Sequence, residues 1–191
     1  YRLPGIGDAL IAQLVEGRAV VVFQNLRFAH WPKWHYAVLI GYDADENVAI
    51  LRSGTKARET MKWQRFARSW HTGGRRAIST LPPGVIPKNA EAVRYLEAAA
   101  GLEVAGQLDG AAASYEAAIA RWPDEPVAWL GRGNVAYAKG DARSAAEAYA
   151  RAVTLAPADA AARNNLAQAL SDAGCRDEAR RQAARASALA A

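Results

Sequence analysis

Residues 126–159 read PVAWLGRGNVAYAKGDARSAAEAYARAVTLAPAD. Apolar residues recur at helical spacing on either side of Gly140, which predicts two helices joined by a tight turn. Shifting the string by 34 residues in either direction meets related residues at the same phase. Tyr95, Trp129 and Arg163 coincide, as do Ala99, Gly133 and Ala167, then Gly106, Gly140 and Gly174. Ala111, Ala145 and Ala179 continue the series, followed by Tyr115, Tyr149 and Ala183, and by Ala118, Ala152 and Ala186. Pro123 and Pro157 close the first two units. The reading is three helix pairs (92–125, 126–159 and 160–191). A glycine ends the first helix of each pair, and a proline stops the second where one is present. Alanines mark close helix approach, and tyrosines fill the space between units. One such unit leaves an apolar face bare, so about three are needed for stability.

This pattern resembles tetratricopeptide repeats over the whole of residues 92–191. The departures are Ala136, where a tyrosine is usual, and a third unit whose anchors have become Arg163 and Ala183. Their loss fits a terminal unit with a solvated outer face. The resemblance implies a peptide or protein ligand in a groove lined by the first helix of each unit. By phase that groove holds Val93, Leu96, Ala100, Val104, Leu130, Asn134, Tyr137, Asn164, Gln168 and Asp172. Leu130, Asn134, Tyr137, Asn164 and Gln168 are the candidate peptide-binding residues. The amides can both donate to and accept from an extended backbone. No Lys or Arg cluster lies on that face, which disfavours a clamp for a terminal carboxylate.

Upstream the chemistry changes. Residues 1–90 carry 13 Lys/Arg against 6 Asp/Glu, and residues 91–191 carry 11 against 13. The switch falls near Leu81-Pro82-Pro83-Gly84-Val85-Ile86-Pro87, expected to be a stiff, extended connector over 82–91. Before it, residues 1–81 read as helix, three strands, helix, strand. Asp8 opens a helix stopped at Gly17, Ala19–Gln24 is a β-branched strand, and residues 35–42 and 48–52 form a hairpin around Asp43–Asn47. Met61–Trp70 has helical spacing, and Ala77–Leu81 is a last strand. The fold class is α+β, a small antiparallel sheet followed by an all-α repeat solenoid.

The string Trp34-His35-Tyr36-Ala37-Val38-Leu39-Ile40-Gly41-Tyr42-Asp43 places a histidine at the start of an apolar strand that ends in Gly-Tyr-Asp. It resembles the histidine segment of papain-like cysteine peptidases, above all the bacteriocin-processing type that cuts after a double-glycine leader. Gly17–Val22 is similar to the preceding strand of those domains. The likeness covers only the later part of that fold, so residues 1–81 are expected to form a partial papain-like domain. The resemblance implies that His35 is the general base for a cysteine nucleophile. The group orienting its ring usually follows some sixteen to eighteen residues later, by resemblance. That interval meets Leu51-Arg52-Ser53, where no carboxylate stands. Ser53 is the nearest match, and Asn25 is the alternative. The catalytic candidates are therefore His35, Ser53 and Asn25.

Cys175 is the one cysteine, and its phase puts it just past a turn glycine in the third unit, where a small residue at a helix start is its expected role. A nucleophile would have to precede Tyr1, and the absence of an initial methionine or leader pattern suggests an internal fragment or processed product. His30 and His71 read as surface-loop residues, with Trp31 or Trp34 as a possible apolar wall of a cleft. With three histidines and one cysteine, no metal or other cofactor is expected. The scattered cations lack any nucleic-acid motif, so no nucleic-acid partner is expected. No apolar run reaches the ~18 residues of a membrane-spanning helix. Localisation is not legible; the resemblance alone suggests the periplasm or cell envelope of a bacterium. Two functions follow: a cysteine peptidase whose repeats recruit a substrate or partner, or a non-catalytic peptide- or protein-binding scaffold.

Overall fold

The computed structural model describes residues 1–28 and 30–190. They divide into two compact units, Tyr1–Leu81 with Pro87–Ala90, and Pro82–Ile86 with Glu91–Ala191.

The first unit is an antiparallel five-stranded sheet with two helices. Its elements are α1 (Gly7–Val15), β1 (Val20–Asn25), β2 (Trp34–Asp43), β3 (Val48–Ser53), β4 (Lys56–Lys62), α2 (Trp63–Thr72) and β5 (Ala77–Ser79), in sheet order β4-β3-β2-β1-β5. Register sorts the side chains. Val20, Val22 and Gln24 stand opposite Leu39, Ala37 and His35, while Val21, Phe23 and Asn25 stand opposite Val38, Tyr36 and Trp34. Successive side chains alternate in face, so the first set forms one surface and the second the other. The first surface packs with Leu10 of α1 and Phe66 and Trp70 of α2. On the second, Trp34 stacks on Phe23, Tyr36 tilts against the same ring, and Trp34, Tyr36 and Ile78 stay exposed.

Strand β4 differs from expectation. Lys-Ala-Arg-Glu-Thr-Met-Lys offers little apolar alternation, yet it pairs from Ser53↔Lys56 to Val48↔Lys62 along the sheet edge. Backbone pairing carries such a strand, and its lysines discourage further addition. Because Met61 and Lys62 complete β4, α2 begins at Trp63 rather than at Met61. The connector differs too. Val85 donates to the Pro82 carbonyl and Ala90 to that of Pro87, so two turns replace a straight extended run.

The second unit is three helix pairs: α3 (Ala92–Val104) with α4 (Leu108–Arg121), α5 (Pro126–Ala138) with α6 (Ala142–Leu155), and α7 (Ala160–Asp172) with α8 (Arg176–Ala190). Gly106, Gly140 and Gly174 sit between partners at φ of 73°, 81° and 87°, where a Cβ is strained. The following N–H reaches back to Leu102, Ala136 and Leu170 carbonyls at 2.9, 3.0 and 2.8 Å, which closes each helix end. Alanine lets the helices meet, as Ala111, Ala118, Ala128, Ala145 and Ala169 are wholly buried. Glycine goes further at two positions. A Cβ on Gly131 would enter the Tyr115 ring, and one on Gly133 the Tyr149 ring.

Candidate functional site

At one end of the sheet's helix-covered face the apolar surface gives way to polar groups. Leu39, Ala37 and Leu51 are buried, and the next positions along the same rows are His35, Gln24 and Ser53. These three border a cavity of about 870 Å³. His35 Nε2 lies 2.8 Å from Ser53 Oγ across the β2–β3 pair. With Nε2 bonded in this way, the other ring nitrogen has no partner among the described residues. In the tautomer where Nε2 donates to Ser53 Oγ, that other nitrogen is the basic one.

Gln24 is 1% exposed and donates through Nε2 to Ser69 Oγ at 2.7 Å, while its Oε1 is buried without a hydrogen-bond donor. An unmatched buried acceptor costs about 1–3 kcal/mol. Ser69 in turn donates to the Phe66 carbonyl at 2.8 Å. Asn25 does not join His35. It stands at the alternate-face position of β1, where Oδ1 accepts from the backbone N–H groups of Arg27 and Lys33 (3.0 and 2.9 Å) and Nδ2 donates to the Phe28 carbonyl at 3.3 Å. It shapes the β1–β2 loop and is unavailable to orient an imidazole. Trp34 likewise stacks on Phe23 on the far face, and the cavity wall from this loop is Leu26 and Phe28 instead. His30 stacks on Phe28, and His71 is exposed.

Charge surrounds the same cavity. Arg27 and Lys33 come from the β1–β2 loop, Lys56 and Glu59 from β4, and Arg65 and Arg68 from α2. Lys56 pairs with Glu59 at 3.2 Å, whereas the other four cations have no carboxylate partner among the described residues. These cations are scattered along the sequence on separate elements, and only the fold gathers them.

In the helical unit the predicted groove residues separate into two kinds. Asn134 is half-buried and spoken for: Nδ2 donates to Glu103 at 3.1 Å and Oδ1 accepts from Tyr149 at 2.9 Å. Glu103 also accepts from Tyr115 at 2.8 Å. Burial, then the adjacent Glu103 charge, pushes the Tyr149 hydroxyl up to about 12, and Tyr115 rises further through burial and its bond to Glu103. Leu130 packs into the core shared by α5, α6 and α7, and Leu96 is buried. Tyr137, Asn164 and Gln168 remain exposed. Tyr137 donates to Asp172 at 2.6 Å and Gln168 to the same carboxylate at 3.2 Å, and these two bonds hold the Asp172 carboxyl below the usual range. Cys175 is exposed, its carbonyl accepting from Ala179 at 3.0 Å at the start of α8.

The third unit repeats the anchor of the second by other means. Trp129 donates through its indole N–H to the Pro123 carbonyl at 2.9 Å. Arg163, in phase with it, donates to the Pro157 carbonyl at 2.8 and 3.1 Å.

A family model described as tetratricopeptide repeat matches residues 96–160 and again 131–191, together just over half of the chain. The chain belongs to the tetratricopeptide-repeat family. No curated protein matches it. Among solved structures it is similar to two crystal structures of MamA, at 22% and 23% identity and a TM-score of 0.49 in both, covering 53% and 52% of this chain. A mutant MamA is similar at 16% identity, a TM-score of 0.49 and 54% of this chain. The chain spans 56%, 58% and 74% of those three chains, so it covers little more than half the length of the first two. No described helix is long and apolar enough to cross a membrane.

Proposed function

We propose that this chain is a protein-binding scaffold whose repeats present the first helix of each pair to a partner. The observation that carries this reading is membership in the tetratricopeptide-repeat family together with exposed polar side chains on α5 and α7. Tyr137, Asn164 and Gln168 are the contact residues, with Asp172 fixing two of them. Asn134 and Leu130, proposed from phase as contacts, serve instead to hold α5 in place. An extended peptide laid along α5 and α7 would exchange backbone hydrogen bonds with the amides. The test is selection of binding peptides from a random library on the full chain. Asn164→Ala with Gln168→Ala should weaken the selected peptides at least about tenfold, roughly 1.4 kcal/mol. Undiminished binding would remove the assignment.

One observation favours a second reading, a papain-like peptidase domain in residues 1–81. His35 and Ser53 meet at 2.8 Å on the border of a cavity, and one imidazole nitrogen faces no partner. In that reading His35 is the general base, Ser53 orients it, and the thiol comes from outside these residues, because Cys175 lies exposed in the repeat unit just before α8. A hydroxyl stabilises an imidazolium less than a carboxylate does, so Ser53→Asp should raise activity and Ser53→Ala lower it. Labelling of the full-length protein by a thiol-reactive peptide probe should fall in His35→Ala. Equal labelling would end the peptidase reading and leave the scaffold.

A further inference from the structure

We propose that the cavity bordered by Gln24, His35 and Ser53 receives an acidic, extended peptide segment. The proposal shares with the scaffold reading only the premise that the chain binds protein, since its residues lie in the sheet unit and not in the repeats.

Three observations converge. Among the described residues, four cations on the lining, Arg27, Lys33, Arg65 and Arg68, have no carboxylate partner, and Glu59, the one lining carboxylate there, is taken by Lys56. Cations gathered around a concave site raise the local concentration of anions. Second, Gln24 is almost wholly buried on that lining, and its carbonyl oxygen, out of contact with solvent, has no hydrogen-bond donor among the described residues; rotation of the side chain toward the cavity would offer it to a peptide N–H. Third, about 870 Å³ lies within the range of clefts that bury most of a drug-sized ligand, room for a few residues of a peptide. The cations come from two elements, Arg27 and Lys33 from the β1–β2 loop and Arg65 and Arg68 from one face of α2. Acidic side chains spaced along a peptide match that distribution. The buried acceptor matches the peptide's backbone, which a phosphate lacks.

The test uses the full chain and fluorescence anisotropy with a labelled glutamate-rich decapeptide and its glutamine counterpart. The glutamate peptide should bind at least about tenfold more tightly, with the preference shrinking as salt is raised. Arg65→Glu with Arg68→Glu, both exposed, should remove the preference. Arg68→Gln serves as a milder variant if the double variant fails to fold. Gln24→Met should weaken both peptides alike, because it removes an acceptor for backbone rather than for charge. Asn164→Ala with Gln168→Ala should leave binding unchanged, which separates this site from the repeat groove. Equal affinity for the two peptides would overturn the proposal, as would retained preference in the arginine variants or displacement by inorganic phosphate at low millimolar concentration.

Discussion

The two units bury different chemistry. The sheet unit depends on a few large apolar side chains on one face, Leu10, Leu39, Leu51 and Phe66, and also buries Gln13, Gln24, Asn25 and Ser79. The repeat unit depends on many alanines, with tyrosines laid against glycines, and buries little that is polar beyond Ser114 and Gln182. In the first, stability is concentrated in a few residues and the polar end of the face borders a cavity. In the second, stability is spread over close approaches that leave no room for added atoms. A core of the first kind should break by losing atoms, and a core of the second kind by gaining them.

The largest effect should come from Phe66→Ala. Its ring is fully buried between α2 and the sheet, and truncation should cost about 3–5 kcal/mol, read from denaturant unfolding of the full chain. If the loss were under about 1 kcal/mol, the sheet unit would not hang on large side chains. Next comes Gly133→Ala, where one added methyl meets the Tyr149 ring near its base and the ring cannot swing aside. Overpacking of about 1–3 kcal/mol should outweigh the helix-propensity gain of about 0.8–1 kcal/mol, so stability falls. Gly101→Ala, in α3, is the counterpart. No other side chain lies near its added Cβ, so only the propensity gain remains, and the unfolding midpoint should rise.

A smaller difference should appear in alkali. Tyr149 is pushed up to about 12, against about 10 for an unfolded tyrosine. A raised folded pKa means the stabilisation is complete below pH 10 and is lost as pH rises toward 12, when the unfolded chain gives up its proton first. Unfolding midpoints measured across that window should fall with pH, and Tyr149→Phe should make the fall shallower. An unchanged slope would show that the hydroxyl is not held protonated by the repeat interior.

How far these features were legible follows from the range of the interactions behind them. The repeat was readable because the same demands recur at each phase, and a glycine with positive φ must be met in every unit. Arg163 reads as a lost anchor, yet it reaches the Pro157 carbonyl as Trp129 reaches that of Pro123 one unit earlier, a substitution of means that residue type conceals. Asn134 was read as a groove contact because its partners lie 31 and 15 residues away, and phase alone cannot reveal a bond to Glu103. Strand β4 was missed because an edge strand is specified by its neighbour's backbone more than by its own pattern. His35 and Ser53 were paired through resemblance. Gln24 was passed over as the last residue of an apolar run, and only the register places it opposite His35.

Gln24 gives the inner face of the sheet unit a polar end with an unmatched acceptor, which we attribute to a ligand rather than to stability. Gln24→Met with Ser69→Ala is the variant to measure, because it removes the unmatched acceptor together with both ends of the Gln24–Ser69 bond. The denaturation midpoint of the full chain should rise, by an amount on the order of 1 kcal/mol. A fall would mean that Gln24 is there to hold the fold together, and would overturn the cavity as a binding site.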